Sequence, residues 1–349
     1  ILGCTGIVGQ QFIRMLENHP YFEISLLTAS KNSKGKAFKD IVNWYVKGKI
    51  PESVKNIIVM DTHLESIINK NIDIFFCALP SQIAKDIELS LANSGVFVFS
   101  NASSHRMNPE IPILIPEVNP EHINLIQYQL QKQKGFIMTN PNCSTAGLVM
   151  SLKPLLQFGI KSVTVTTYQA ISGAGRLGIP SMDILNNVIP YIHGEEIKIE
   201  KETQKILGSV HNFSINKQDI DIFPSCCRVP VRDGHLESVS VELAKDVDEE
   251  RIFDSFRSFK GTPQELKLPT APETPLIVCS KSDRPQPIHD SYAGTPKRAE
   301  GMAVPIGRIK KKGKRISFFL LVHNTIRGAA GTSILNAEMA FIKNYLKKS

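Results

Sequence analysis

The chain has 349 residues, more than a single hydrophobic core usually serves, and this length suits two domains. Hydrophobic residues make up 42% and charged residues 21%, a balance that excludes a disordered or fibrous protein. The formal net charge of +8 would suit nucleic acid, a membrane surface or an anionic small substrate. The sequence shows neither a secretory signal pattern nor an apolar run long enough to span a bilayer.

The positions of the cysteines and lysines favour some of these protein classes and binding partners over others. The six cysteines include no Cys-x-x-Cys pair, so we expect a reduced, cytoplasmic protein without a metal site. The densest basic run, RIKKKGKR (308–315), lies between two apolar runs, which predicts a hairpin with a charged, solvated turn. We therefore expect no nucleic-acid partner and no membrane contact.

The first third of the chain alternates short apolar runs with helical patterns. Strands that alternate with helices predict an α/β domain with a parallel, doubly wound sheet. Strands are predicted at Ile1–Leu2 and within residues 23–30, 55–61, 72–80, 96–103 and 135–139. Helices are predicted at residues 10–20, 63–70 and 81–95.

The opening GCTGIVGQ places glycine at positions 3, 6 and 9, after a strand and before a helix. Such glycines let a backbone approach a pyrophosphate, which then binds at the helix N-terminus. Where an acidic ribose ligand would follow the second strand, the sequence instead has Ser30, Lys31, Ser33 and Lys34. Hydroxyls and lysines there favour the 2′-phosphate of NADP over NAD, although a polar loop without a cofactor role would have the same composition.

The stretch NPNCSTAG (140–147) joins an apolar strand to a helix. Its cap and turn residues predict a shaped elbow that presents Cys143 at the helix start. The unpaired N–H groups of a helix start favour the thiolate, so we predict a nucleophile with a lowered pKa. The alternative is a cysteine that packs as a small hydrophobic residue.

Beyond Cys143 the pattern changes to long β runs with a few helices. An antiparallel sheet backed by helices is the simplest interpretation. Strands are predicted within 161–171, 237–244, 276–280, 301–309 and 316–324, and helices at 180–189, 248–259 and 325–346. Residues 261–300, rich in proline and glycine, predict an irregular excursion, and the last helix is expected to return to the first domain.

Three further residues suit chemistry beside a thiol. Gln169 precedes a second glycine cluster, SGAGRLG (172–178), which we interpret as a loop on the substrate side. His235 follows a turn, and a histidine of near-neutral pKa is a natural proton shuttle for a thiol; the alternative is an ordinary turn residue. Arg228 offers a planar fork for a carboxylate, whereas the alternative is a surface ion pair.

Taken in order, these motifs resemble one family over essentially the whole chain, the aspartate-β-semialdehyde dehydrogenases of the archaeal and fungal branch. The resemblance rests on GCTGIVGQ, SNASSHRM, IPEVNP, NPNCSTAG, QAISGAG, GEEIKIEKETQKIL, RVPVRDGH, RPQP and NTIRGAAG. It implies a Rossmann-type NADP-binding domain at 1–142, completed by a C-terminal helix at 326–349. It also implies an α+β catalytic and dimerisation domain at 143–325, like that of glyceraldehyde-3-phosphate dehydrogenase, in a homodimer or homotetramer.

The resemblance also implies a role for each matching residue. Cys143 would be the nucleophile, His235 the acid/base, and Gln169 the group that orients the acyl intermediate. The implied substrate contacts are Arg228 to the α-carboxylate, Glu195 to the amino group, Arg106 and Lys198 to the phosphate, and Asn142 beside the nucleophile. The implied cofactor contacts are Gly3, Thr5, Gly6, Ile7, Val8, Ser30, Lys31, Ser33, Ser172, Gly173 and Asn324.

The implied reaction is reduction of β-aspartyl phosphate by NADPH to aspartate semialdehyde through a Cys143 thioester, in lysine, threonine and methionine biosynthesis. Malonyl-CoA reductase and N-acetyl-glutamyl-phosphate reductase share the thioester chemistry and remain alternatives. A third alternative, from another class, is a non-catalytic protein that binds NADP or nucleic acid.

Overall fold

The computed structural model describes residues 1–68 and 70–347, and its N-terminal part forms a parallel sheet flanked by helices. The strands are β1 (Thr28–Ala29), β2 (Met60–Asp61), β3 (Ile74–Cys77), β4 (Phe97–Ser100) and β5 (Phe136–Thr139). The helices are α1 (Ile7–Leu16), α2 (Phe38–Ile41), α3 (Glu52–Lys55), α4 (Leu64–Ile67), α5 (Ser81–Asn93) and α6 (Leu125–Lys132).

Leu2 lies at the centre of this sheet. It makes parallel bridges to Thr28 of β1 on one side and to Cys77 of β3 on the other. The spatial order is therefore β2, β1, Leu2, β3, β4, β5. The chain starts at the centre of the sheet, adds β1 and β2 on one side, and then adds β3, β4 and β5 on the other. Doubly wound sheets bind ligands at the carboxyl ends of their strands, where this order reverses.

Helix α7 (Cys143–Leu152) follows β5 after a three-residue turn. Asn142 caps it, because its side-chain oxygen accepts hydrogen bonds from the N–H groups of Ser144 (3.0 Å) and Thr145 (3.3 Å). The elbow predicted from NPNCSTAG is confirmed, and Cys143 is the first residue of the helix.

The rest of the chain builds a six-stranded sheet, in the order β11, β12, β13, β10, β6, β9. The strands are β6 (Ile160–Gln169), β7 (Ser209–His211), β8 (Ser214–Asn216), β9 (Asp221–Arg228), β10 (His235–Leu243), β11 (Leu276–Val278), β12 (Val304–Lys312) and β13 (Arg315–Val322). The helices are α8 (Ser181–Ile184), α9 (Glu195–Ile206), α10 (Glu249–Arg257), α11 (Thr262–Glu265), α12 (Pro287–Asp290) and α13 (Gly331–Ile342). Strands β7 and β8 form a separate small hairpin.

The prediction of an antiparallel sheet is wrong at both edges. β9 pairs in parallel with β6, and β11 pairs in parallel with β12, whereas the inner pairs are antiparallel. The connection from β6 to β9 contains α9 and is long enough to return the chain to the same end of the sheet, as parallel pairing requires. The basic hairpin is confirmed: Gly313 and Lys314 join β12 to β13, and most of the basic run, residues 308–312, lies on the second half of β12.

Several predicted helices are shorter in the structure. The helix predicted at 180–189 is a single turn that ends at Ile184, because Leu185 is extended and Asn186 has a left-handed φ of 55°. The helix predicted at 63–70 spans only Leu64–Ile67, and Asn69 lies outside the described residues. The final helix is a π-helical turn, Ile326–Ala330, followed by α13, and residues 348 and 349 lie outside the described chain.

A hydrophobic cluster that includes Leu91 of α5 and Val98 of β4 packs against one face of the N-terminal sheet, and two further clusters hold the rest of the core of the described residues. One joins α1 and the N-terminal sheet to side chains of the final segment, including Ile334, Leu335 and Met339. The other joins α7 to the six-stranded sheet and includes Ile113, Ile115 and Val118 from the N-terminal part. The predicted boundary between residues 142 and 143 stays a prediction. Within residues 1–68 and 70–347, the structure contains no helix that could cross a membrane.

Candidate active site

A cavity of about 1010 Å³ lies between the two halves of the molecule. It extends from the turn before α1, past the elbow at Cys143, to the loop after β6 and the first turns of α9. The sequence-predicted residues that line it are Gly3, Thr5, Gly6, Ile7, Val8, Ser30, Lys31, Arg106, Asn142, Cys143, Ser172, Gly173, Glu195, Lys198, Arg228 and Asn324. His235 and Gln169 are buried beside this lining.

Cys143 is in close contact with His235 and with the backbone of the C-terminal segment. Its Sγ atom is 3.2 Å from Nε2 of His235. On the opposite side, a Cβ atom built on Gly328 would lie only 2.7 Å from the Cβ of Cys143, so the π-helical turn fits only because residue 328 is glycine. The Cys143 side chain is thus held by a histidine on β10 and by the backbone of the C-terminal segment.

The predicted lowering of the Cys143 pKa is wrong for this structure. Burial, together with the nearby Glu195 carboxylate, raises the pKa of Cys143 to about 12. Arg228, Arg106 and the N–H of Ser144 act in the opposite direction but do not outweigh burial. Burial therefore favours the thiol over the thiolate in this structure.

The second wrong prediction concerns His235, which was expected to have a near-neutral pKa. Burial and the positive charge of Arg228 lower the pKa of His235 well below its ordinary value. Its Nδ1 atom accepts a hydrogen bond of 3.0 Å from the N–H of Ala170. The carbonyl of Ala170 in turn accepts a 2.8 Å hydrogen bond from Arg228, so the three residues form one buried unit.

Glu195 organises the polar groups around the thiol. Its Oε1 atom accepts hydrogen bonds from Nδ2 of Asn142 (2.6 Å) and from Nε2 of Gln169 (3.1 Å). Its Oε2 atom accepts a longer one, 3.4 Å, from Nζ of Lys198. Glu195 and Lys198 are three residues apart on α9 and project from the same face, as their spacing predicts.

Three residues that the sequence analysis did not single out, Glu202, Asn101 and Lys205, hold Arg106 in place. Its guanidinium donates to Oε1 of Glu202 at 3.0 Å and to the carbonyl of Asn101 at 2.8 Å. The other oxygen of Glu202 accepts a 2.6 Å hydrogen bond from the N–H of Asn142. Lys205 donates from Nζ to the carbonyls of Arg106 (2.6 Å), Asn108 (2.7 Å) and Ile111 (2.8 Å).

The signal for Glu202 and Lys205 was present in GEEIKIEKETQKIL. They lie seven and ten residues after Glu195, so they share its face of the helix. Burial of both side chains, at 2% and 3% exposure, could not be predicted from a segment in which half of the residues are charged.

The cofactor half of the cavity fits a dinucleotide. Gly3 has a φ of 81°, and a Cβ there would lie 2.7 Å from the carbonyl oxygen of Ala78, so the turn requires glycine. Gly6 precedes α1, and no side chain of the described residues caps this helix, which leaves its first N–H groups facing the cavity. This is the arrangement that a pyrophosphate requires.

At the adenosine end of the cavity, two of the predicted residues, Ser33 and Lys34, are not part of the described lining. Ser30 and Lys31 line it, but the described lining does not include Ser33. Lys34 is paired with Asp61 at 2.6 Å, and this lysine is the main reason that the pKa of Asp61 falls to about 2. Asp61 ends β2 and was missed because its proximity depends on the pairing of β1 with β2.

Comparison with known proteins agrees with this geometry. The semialdehyde dehydrogenase NAD-binding domain matches residues 1–126, and the semialdehyde dehydrogenase dimerisation domain matches residues 152–327. An aspartate-semialdehyde dehydrogenase of Archaeoglobus fulgidus is 47% identical over 97% of this chain and 96% of its own length. A malonyl-CoA reductase (NADP) of Metallosphaera sedula is 40% identical over 100% of this chain and 98% of its own length.

The structural comparison reaches the same family. The crystal structure of aspartate-semialdehyde dehydrogenase with NADP from Candida albicans superimposes with a TM-score of 0.87 at 38% identity, covering 99% of this chain and 98% of the other. The match includes both the parallel sheet and the six-stranded sheet, since it extends over nearly the whole length. The chain therefore belongs to the semialdehyde dehydrogenase family of NAD(P)-binding oxidoreductases.

Proposed function

We propose that the protein is an NADP-dependent aspartate-semialdehyde dehydrogenase that reduces β-aspartyl phosphate to aspartate semialdehyde in amino-acid biosynthesis. The observation that carries this proposal is the charge arrangement around Cys143. Arg228, Arg106 and Lys198 offer three cations, and Glu195 offers one carboxylate, within a single cavity. A substrate with a carboxylate, a phosphate and an ammonium group matches that set in number and sign.

In this proposal each residue keeps the role that the family resemblance implies. Arg228 binds the α-carboxylate, Glu195 the amino group, and Arg106 with Lys198 the phosphate. Asn142 and Gln169 both donate to Glu195 and so hold its carboxylate in one orientation. Gln169 would also orient the acyl group, and His235 would be the proton partner of the thiol.

The chemistry starts at Cys143, whose sulfur attacks the acyl phosphate carbon and displaces phosphate. The Asn142 cap occupies the N–H groups of Ser144 and Thr145, so the N–H of Cys143 and the His235 imidazole would stabilise the oxyanion that forms. The resulting thioester is electrophilic enough to be reduced. Bound NADPH would supply the hydride. Collapse of the thiohemiacetal then releases the aldehyde and restores the thiol.

The NADP cofactor is supported by Ser30 and Lys31 at the adenosine end and by a Candida albicans relative whose structure contains NADP. Because Lys34 neutralises Asp61, the carboxylate near this end does not add a net negative charge. Gly3, Thr5, Gly6, Ile7 and Val8 would hold the pyrophosphate. Ser172, Gly173 and Asn324 would lie toward the nicotinamide, where Asn324 donates to Oγ of Ser172 at 2.8 Å.

The test is phosphate-dependent reduction of NADP by the purified protein with aspartate semialdehyde. We expect turnover in the parent and a loss of at least about a thousandfold in Cys143→Ser, because the serine cannot form the thioester intermediate efficiently. NADP binding should be unchanged in the variant and serves as the control. No turnover in the parent would contradict the proposal.

The second candidate, malonyl-CoA reduction, is favoured by the Metallosphaera sedula relative at 40% identity. Malonyl-CoA has no amino group for Glu195 to bind, so we place it second. Turnover of malonyl-CoA without turnover of aspartate semialdehyde would reverse this order.

The protein would act as a homodimer or homotetramer. The match to a dimerisation domain supports this, as do apolar side chains on the surface of residues 177–191, where Leu177 and Met182 are each 88% exposed. A monomer by light scattering would contradict it. The cytoplasmic location, and the absence of nucleic-acid and membrane partners, stay predictions.

A further inference from the structure

Glu237 is a buried acid that the proposed mechanism does not use. It lies on β10 two residues after His235, so both side chains point to the face of the sheet that carries α7. The side chain is inaccessible to solvent, and neither carboxyl oxygen has a hydrogen-bond partner among residues 1–68 and 70–347. Buried polar groups are almost always hydrogen-bonded, so this carboxyl is an exception that needs a reason.

The strands on either side of Glu237 do not supply a partner. Thr167 of β6 and Leu320 of β13 are its neighbours in the sheet. Oγ1 of Thr167 accepts a 3.2 Å hydrogen bond from Nε2 of Gln169, and Leu320 is apolar. The polar group that acts on the carboxyl is the hydroxyl of Ser144 in the first turn of α7, and in the described residues its Oγ also lacks a hydrogen-bond partner.

The environment of Glu237 opposes a negative charge. Burial raises the pKa of Glu237 well above its ordinary value, and the Ser144 hydroxyl, which favours the charged form, does not outweigh burial. The carboxylate of Glu195 raises this pKa further. Neither Ser144 nor Glu195 carries a positive charge that could compensate a buried carboxylate.

The other titratable groups around Glu237 do not supply that charge either. Burial raises the pKa of both Cys143 on α7 and Cys226 on β9 to about 12, and a thiol is only ever neutral or negative. His235, on the same strand, has a pKa that burial lowers well below its ordinary value. A buried carboxylate without a counter-charge is costly, so the site accommodates the protonated form.

We propose that Glu237 is a positioning residue for the nucleophile: it is a neutral carboxylic acid that donates its O–H to Oγ of Ser144, beside Cys143. Both groups are buried and unpartnered among the described residues, so one hydrogen bond would satisfy both. A buried acid that is kept neutral can donate in this way.

This hydrogen bond matters because Ser144 directly follows Cys143. The N–H of Ser144 already donates to the Asn142 cap at 3.0 Å, so a bond at its side chain would hold the first turn of α7 from a second side. A shift of this turn would change the 3.2 Å distance from Sγ of Cys143 to Nε2 of His235.

The neutral state of Glu237 matters for the reaction, and this step rests on the proposed function. Negative charge develops on the sulfur and on the oxyanion when Cys143 attacks the acyl carbon. A carboxylate directly below the nucleophile would oppose that charge, whereas a neutral acid would not.

The first test asks whether Glu237 carries a proton. A protonated carboxylic acid has an infrared C=O band that a carboxylate lacks, so the difference spectrum between the parent and Glu237→Gln at pH 7 should contain this band. The control is Glu242→Gln on the same strand, whose partly exposed carboxylate lies 3.7 Å from Arg315 and should contribute no such band. A parent spectrum that loses no such band in Glu237→Gln would overturn the proposal.

The second test detects the same proton through stability. A native state that keeps a proton which the unfolded chain releases becomes less stable as the pH rises. Relative to Glu237→Gln, the unfolding equilibrium constant of the parent should therefore rise about tenfold per pH unit between pH 6 and 8. A ratio that does not change with pH would show that Glu237 is ionised in the native protein, contrary to the proposal.

The third test concerns positioning. Glu237→Met removes the donor and keeps the bulk, so kcat with aspartate semialdehyde should fall at least about tenfold, while the melting temperature at pH 8 should not fall. Glu237→Gln, whose amide can donate to Ser144, should recover most of this kcat. A merely structural role would make kcat follow stability. Parent-like kcat in Glu237→Met, or equal losses in both variants, would refute the positioning role.

The partner is tested by a double-mutant cycle. Ser144→Ala should lower kcat by about the same factor as Glu237→Met, and the double variant should lose no more than either single variant. Losses that multiply would mean that the two residues act independently, against the proposal.

The infrared and stability tests need no turnover. If the parent fails to convert aspartate semialdehyde, the proposed function fails, while these two tests still decide whether Glu237 is neutral. Its positioning role is then measured by the rate of Cys143 alkylation with iodoacetamide, which should fall in Glu237→Met and not in Glu237→Gln. Equal rates in the parent and both variants would refute that role.

Discussion

Gly173 lies against both Arg228 and His235, and its lack of a side chain leaves room for them. A Cβ at this position would lie 2.8 Å from Nη1 of Arg228 and 3.1 Å from Cε1 of His235. The first distance is shorter than real Cβ contacts, and the second is tight. Because both neighbours are hydrogen-bonded to Ala170, a shift of either one disturbs the unit that faces Cys143.

We expect Gly173→Ala to lower kcat/KM for aspartate semialdehyde at least tenfold, equivalent to about 1.4 kcal/mol in the barrier, with little change in melting temperature. The control is Gly313→Ala in the distant basic hairpin, where φ is 57° and no described atom lies within 4 Å of the new Cβ. That variant should lose roughly 1–2 kcal/mol of stability to backbone strain while its turnover stays at the parent level. Equal activity of Gly173→Ala and the parent would contradict this prediction.

For single residues, the sequence predicts those features that depend on residues nearby in the chain. Asn142 as the helix cap and Cys143 as the first helical residue follow from eight consecutive residues. The pKa of Cys143 does not, because burial by distant segments outweighs the helix terminus that the local pattern reveals. The hydrogen bond at Nδ1 of His235 likewise comes from Ala170, which is 65 residues away.

Helix α9 carries the site on one face. Glu195, Lys198, Glu202 and Lys205 lie at spacings of three, four and three residues, so all four point toward the cavity or the loop below it. The first pair meets substrate in the proposed reaction, whereas the second pair meets only protein. Glu202 joins Arg106 to the elbow, and Lys205 fixes the loop of residues 106–111.

We expect Lys205→Met to raise the KM for phosphate several-fold more than it lowers kcat. Loss of three hydrogen bonds to the loop that carries Arg106 would leave this arginine misplaced, whereas the thiol and His235 would be untouched. The measurement is the steady-state KM for phosphate in the direction of NADP reduction. The control is Lys201→Met on the exposed side of the same helix. If the two variants had the same KM for phosphate, Lys205 would have no positioning role.

The two halves of the molecule differ in how well their topology could be predicted. The N-terminal sheet follows from the alternation of strand and helix patterns, since each crossover is short. The parallel edges of the second sheet could not be predicted, because β9 reaches its place beside β6 only after α9 and a separate hairpin. The cavity depends on both halves, and it is closed by the C-terminal segment that carries Gly328.

A buried ion pair joins this C-terminal segment to the rest of the molecule. Arg327, beside Gly328, donates from Nη1 and Nη2 to the two carboxylate oxygens of Glu117 at 3.0 and 2.7 Å, and both side chains are fully buried. Glu117 lies between Ile115 and Val118, which belong to the hydrophobic cluster that joins α7 to the six-stranded sheet. The pair therefore connects the turn packed on Cys143 to the core below the six-stranded sheet.

We expect Glu117→Gln to lower the free energy of unfolding by about 3–5 kcal/mol, because it leaves the Arg327 cation buried without its counter-charge. Denaturant unfolding measures this change. Glu121→Gln, on an exposed carboxylate four residues away, should change stability by less than about 1 kcal/mol. The double variant Glu117→Gln with Arg327→Met should be less unstable than the sum of its single variants, because it removes the stranded charge. Additive losses would mean that the two residues stabilise the fold independently, and that the ion pair is not what joins the C-terminal segment to the core.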